Sequence, residues 1–137
     1  MPAHSPARAF ELVLPVLPGD IDGLGHVNNT VYLRWVQDAA TAHWQALASP
    51  EDQAAIAWVV LRHEIDYKAP ALAGDEVLLR TWVGKATRLT FERHTEIRRQ
   101  RDGQLLSQAR TLWCPISAST GRPQRVTADL RAQFSQP

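Results

Sequence analysis

Cysteine is almost absent from this 137-residue chain: Cys114 stands alone, so no internal disulfide can close and no CxxC or Cys/His cluster offers a structural metal site. A reducing compartment is the expectation. Net charge is nearly absent as well, since fifteen Lys and Arg face fourteen Asp and Glu and leave +1, giving no overall basic footprint for nucleic acid or an acidic membrane. No stretch approaches the ~18 apolar residues of a spanning helix, and the opening Met1-Pro2-Ala3-His4-Ser5-Pro6-Ala7-Arg8 has no apolar signal core. The histidines form no i, i+4 pair and no set with carboxylates, so no metal site is expected. These absences predict a soluble, cytoplasmic protein without cofactor, nucleic-acid partner or membrane.

What is present fits one compact domain, with 45% hydrophobic and 21% charged residues. Residues 1–8 read as a loose tail and 9–137 as the single domain. Phe10, Leu12, Leu14 and Val16 alternate with Glu11, Val13 and Pro15 as an edge strand. A turn-rich loop, 17–25, comes next. From Thr30 to about Leu47 apolar residues leave only a narrow polar strip at Arg34, Gln37, Asp38 and Gln45, which predicts a long buried helix capped by Asn28 or Asn29 and stopped at Ser49-Pro50. After a polar link at Glu51 to Gln53 come four strands, around 58–68, 75–83, 88–99 and 104–116, the last two joined by Asp102-Gly103. That dipeptide suits a tight hairpin with both central residues at positive φ. Thr127 can cap a short terminal helix with Leu130 and Phe134.

Strand, long helix and four antiparallel strands make an α+β layout. One sheet around one apolar helix leaves outer residues, read as Trp58, Val60, Leu78 and Trp82, in need of cover, which predicts a homodimer or larger assembly.

The segment from Gly19 to Tyr32 holds the densest group of chemically capable residues. Asp20 and Asp22 suit a loop, where short carboxylates bond nearby amides, and Asn28 and Asn29 suit a helix start. A helix N-terminus presents unpaired N–H groups and a favourable dipole to a developing oxyanion, and a neighbouring carboxylate can attack or activate water. Tyr32 fits core packing of the first helical turn. His63 reads as a satisfied core histidine, His94 as solvated, His43 as standing alone late in the helix.

Asp22-x-x-Gly25-His26-Val27-Asn28-Asn29-x-x-Tyr32, extended backwards by Gly19-Asp20, resembles the signature of the 4-hydroxybenzoyl-CoA thioesterase-like group of hotdog proteins. Ile65-Asp66-Tyr67-Lys68-Ala69-Pro70 with Gly74-Asp75-Glu76-Val77 resembles that group's second-strand region. The resemblance implies a hotdog fold, an antiparallel sheet wrapped around one helix, with sheets of a homodimer paired edge to edge, sites at the interface and possible assembly into a homotetramer. It implies acyl-CoA thioester hydrolysis with Asp22 as nucleophile or general base and the Asn29 backbone N–H polarising the carbonyl. His26 would orient water or bind the thioester oxygen, or else bond the loop. Gly25, Asn28 and Tyr32 would contact substrate, and Lys85 and Arg88 the CoA phosphates, with Arg122 and Arg125 a second basic cluster. Asp38 falls where relatives often carry Glu before Ala-Arg, a departure that favours a structural or pocket-lining role.

Two other functions share the fold. An acyl-thioester dehydratase or hydratase would use a histidine with an acidic partner, and a non-catalytic acyl-CoA-sensing module would keep the pocket without chemistry.

Overall fold

In the computed structural model, which describes residues 9–134, β1 (Phe10–Pro15) leads through a 3-10 turn, Pro18–Asp20, to the long helix α1 (Asn29–Leu47). A short helix α2 (Pro50–Ala55) precedes β2 (Ile56–Tyr67), β3 (Glu76–Ala86), β4 (Phe91–Arg99), β5 (Leu105–Ser117) and α3 (Ala128–Phe134). The predicted tail, 1–8, lies outside the described residues. All pairings are antiparallel in the order β1-β3-β4-β5-β2, so the two strands flanking α1 form opposite edges of the sheet. The helix therefore crosses the inner face of the whole sheet. This is the predicted α+β hotdog architecture.

On α1, Val31, Tyr32, Trp35, Val36, Ala39, Ala40, His43 and Trp44 are buried, a spacing that keeps one stripe on the sheet. Val77 and Leu79 of β3, Ile97 of β4 and Leu106 of β5 meet its first half with no exposure. Its second half joins Ile56, Phe91, Val126, Leu130 and Phe134, so α3 closes that end of the core. Thr127 does cap α3, its hydroxyl accepting from Leu130 N–H at 3.2 Å.

Four expectations need correction. Helix α1 is not apolar around most of its girth: Thr30, Arg34, Gln37, Thr41 and Gln45 form a solvent face, since small alanines raised the apparent apolarity. Ser49-Pro50 stops α1 but also starts α2, because the Ser49 hydroxyl accepts from Asp52 N–H and proline is favoured in a first turn. The β4–β5 turn holds only Gly103 at positive φ, 73°, and is longer than two residues, with Gly103 N–H bonded to Arg99 O. Strand β4 begins at Phe91 rather than Arg88.

The outer sheet face also differs from the predicted apolar surface. Trp58 faces inward, edge-on to Trp44 and Phe134. Leu78 and Trp82 are half-buried on a face crossed by Glu11–Arg80–Glu96–Arg98 and Glu64–Arg110–Glu92 ion pairs. His94 is thus not simply solvated: its Nε2 is 2.6 Å from Glu92 Oε1 and its ring stacks on Trp82. On β2, whose outer edge is unpaired among the described residues, Val59 and Leu61 are exposed.

Candidate active site

The loop between β1 and α1 is organised by Asp20, which is 3% exposed. Its Oδ2 accepts from Leu17 N–H at 2.9 Å, its Oδ1 from Arg34 at 3.0 Å, and its carbonyl from Asn28 N–H at 2.8 Å. One buried residue thereby ties the loop to both the start and the second turn of α1. Arg34 also lies 4.0 Å from Asp38, which supports a structural role for that helix position.

Downstream, Ile21 and Val27 form an isolated antiparallel bridge that closes a small lobe headed by Asp22. Asp22 N–H donates to His26 O at 2.7 Å, and Asp22 Oδ1 accepts from Leu24 N–H at 2.8 Å and His26 N–H at 3.1 Å. Gly25 turns the lobe at φ 80°, a conformation that excludes most side chains. Asp22 Oδ2 has no hydrogen-bond partner among the described residues, so one oxygen of the half-buried carboxylate is held by the loop and the other is not.

Asn28 is the cap, its side chain accepting from Thr30 N–H at 3.3 Å, and Asn29 is the first helical residue. The Asn29 amide is one that a helix cannot satisfy internally. Asp22 and the Asn29 amide thus stand on the two sides of one anchored loop, without any side-chain electrophile.

Other predicted residues spread out. Asn28, Asn29 and His26 are exposed at the same end, with His26 bridged to Leu72. Tyr32 is 2% exposed, and its hydroxyl accepts from Ala71 N–H at 2.8 Å. Burial raises its pKa, which the Ala71 bond partly offsets. Tyr67 donates to Asn29 O at 3.2 Å and so marks which end of β2 belongs to this loop. Lys85 and Arg88, exposed at the β3–β4 hairpin, are not brought to Asp22 within one chain: β3 starts beside the loop, and Lys85 lies about 30 Å along it at 3.3 Å per residue.

That far end contains what sequence reasoning missed: a cavity of about 250 Å³ between the second half of α1 and the sheet, lined by Trp44, Trp58, Phe91, Arg93, Trp113 and Phe134 among others. Arg93 occupies an inward position of β4 between buried Phe91 and Thr95. The alternation of β4 was the signal, since its inward face carries a charge. His43 does not stand alone either, because Arg93 Nη1 donates to its Nδ1 at 3.0 Å. His63 is only partly satisfied: Nδ1 is 3.0 Å from Thr111 Oγ1, and Nε2 is buried without a partner.

Among the described residues no group of three or more His, Cys, Asp and Glu is placed to hold a metal, and no helix is long and apolar enough to cross a membrane.

Solved structures share this fold. A 1,4-dihydroxy-2-naphthoyl-CoA thioesterase from Synechocystis superposes with TM-score 0.80 at 22% identity, covering 93% of this chain and 96% of that one. The dynemicin thioesterase gives 0.83 at 23%, with 93% and 96% covered. A Staphylococcus aureus protein solved in complex with CoA gives 0.81 at 17%, with 95% and 87% covered. No curated protein matches in sequence. The profile of the thioesterase-like superfamily matches residues 16–134, nearly the whole described chain, and the protein therefore belongs to that superfamily.

Proposed function

We propose that this protein hydrolyses an acyl-CoA thioester to the free acid and CoA, with Asp22 as nucleophile or general base and the Asn29 N–H as the donor to the carbonyl oxygen. The observation that carries this reading is the split use of the Asp22 carboxylate. Oδ1 is fixed by two loop amides while Oδ2 has no partner among the described residues, and the helix that follows the loop starts at Asn29, whose amide the helix itself cannot pair. On attack the carbonyl oxygen gains negative charge, which an oriented amide and the helix dipole stabilise. Attack by Oδ2 gives a mixed anhydride and releases CoA thiolate, and water then cleaves the anhydride; as a base, Oδ2 takes a proton from the attacking water. His26, Gly25 and Asn28 belong to the same loop. No cofactor is needed for either route.

The named activity of the Synechocystis protein and the bound CoA of the Staphylococcus protein support a CoA ester. A second copy completes the site in this reading. Strand β2 pairs only with β5 among the described residues, and its two ends meet the Asp22 loop and the cavity respectively. Antiparallel β2 pairing between copies would set the loop of one beside the cavity, Lys85 and Arg88 of the other.

Thiol release from aliphatic and aromatic acyl-CoA esters by wild type and Asp22→Asn tests the function. Turnover in the wild type and its loss in the variant with substrate binding retained is the expected result. Absence of hydrolysis across the panel by the wild type would favour the sensing module, and hydration of enoyl-CoA would favour the hydratase.

A further inference from the structure

Arg93 is 4% exposed, yet no Asp or Glu among the described residues pairs with it, and no carboxylate lines the cavity it borders. Its bonds run from Nη1 to His43 Nδ1 and Thr81 Oγ1, both at 3.0 Å, and its guanidinium lies 5.4 Å from the Phe134 ring centroid. All three neighbours are uncharged in this arrangement, since a histidine nitrogen that accepts from arginine is deprotonated. Burial pushes the Arg93 pKa down to about 10, so it stays cationic at neutral pH.

A buried cation without a counter-charge is costly, and nature resolves it by pairing or by a ligand. Nε and Nη2 of Arg93 have no protein partner among the described residues. Aromatic and aliphatic side chains make up most of the cavity wall, and Arg93 is the charged residue in it. At about 250 Å³ it lies just below the ~300–1,000 Å³ of drug-sized ligand sites, which suits a compact, flat group rather than a long chain.

We propose that the cavity receives the acyl group of the substrate and that Arg93 binds a carboxylate at the far end of that group, making thioesters of compact dicarboxylic or carboxyaryl acids the preferred substrates. This rests on the thioesterase reading and adds a specificity-determining residue to it. A guanidinium offers a planar fork to a carboxylate, so Arg93 can satisfy both oxygens through the donors its own fold leaves unused.

The test compares matched esters, para-carboxybenzoyl-CoA against benzoyl-CoA and glutaryl-CoA against pentanoyl-CoA, with wild type, Arg93→Gln and Arg93→Lys. The wild type should show about tenfold or more lower KM for each carboxylate member, in keeping with a charge-assisted bond. Arg93→Gln should lose that preference by raising KM for the charged ester alone, and Arg93→Lys should restore part of it. Equal KM within both pairs in the wild type would overturn the proposal while leaving the thioesterase reading intact. Quenching of tryptophan fluorescence in the wild type by benzoate, set against its neutral isostere benzamide, decides the matter separately from turnover and from the folding of any variant. Preferential quenching by benzoate supports the proposal even if no ester is cleaved, in which case the thioesterase reading alone fails; equal response to benzoate and benzamide overturns it.

Discussion

Asp20 and Arg34 form a 3.0 Å ion pair in which the carboxylate is almost wholly buried and the guanidinium half exposed. The asymmetry assigns the anchoring to Asp20, which serves a loop amide as well as the helix. Asp20→Ala should destabilise the fold by roughly 1–3 kcal/mol, the cost of unsatisfied buried donors, and should lower turnover because the Asp22 lobe loses its tether. Arg34→Lys should cost less than about 1 kcal/mol, because a half-exposed cation is well screened and still neutralises Asp20. Urea denaturation alongside thiol release checks both, and an Asp20→Ala protein unchanged in each would remove the anchoring role.

The two oxygens of Asp22 predict different outcomes for two substitutions. Asparagine keeps an Oδ1 for the Leu24 and His26 amides, so the stability of Asp22→Asn should lie within about 0.5 kcal/mol of wild type. Its turnover should nevertheless fall roughly 10²–10⁴-fold or further, the range for losing a base. Asp22→Ala should lose turnover and also stability, since Leu24 and His26 N–H lose their acceptor. Single turnover in ¹⁸O-water separates the routes: label in the Asp22 carboxylate requires the anhydride.

The legible parts of this molecule were those governed by local chemistry. The β1 alternation, the Asn28 cap, the Thr127 cap and the Asp22 turn all follow from neighbours within a few residues, and each is in the structure. Illegible parts depended on distant partners. The Asp102-Gly103 dipeptide predicts positive φ at both residues, whereas the turn uses the Asp102 side chain, which accepts from Gln104 N–H and Arg99. Trp58 was read as outward because the face of β2 cannot be set without knowing that a bulge lies between Val60 and Arg62. The inward charge of Arg93 is legible in the alternation of β4, but the cavity is not, since it needs β4, α1 and α3 together.

Stability should depend on His63 in a defined pH window. The ring is half-buried, and that burial pushes its pKa below the ordinary histidine value. The folded state therefore binds this proton more weakly than the unfolded chain, so the His63 contribution is complete above about pH 6.5 and declines as pH falls from there toward the folded value. For Glu92, burial acts to raise the pKa but bonds from Arg110 and His94 outweigh it, so its own loss comes only lower, in the carboxylate range. Melting temperatures of wild type and His63→Gln between pH 7.5 and 5 should converge as the pH drops, because the variant lacks that slope. Parallel curves would show that His63 carries no linked proton.

The free edge of β2 yields the last prediction. A 12-residue strand with one side unpaired among the described residues, and with Leu61 57% exposed at its bulge, is a template for another strand. Wild type should sediment as a dimer or larger assembly. Lysines at Val59 and Leu61 should shift it toward monomer with little change in helical circular dichroism, because neither side chain supports the core beneath α1. Activity should fall by about 10²-fold in the monomer, the scale expected when reacting groups are no longer held together, since the Asp22 lobe and the aromatic cavity of one chain lie at opposite ends of that strand. A folded monomer that keeps full activity would mean that each chain holds a complete site and that the cavity serves something other than the acyl group.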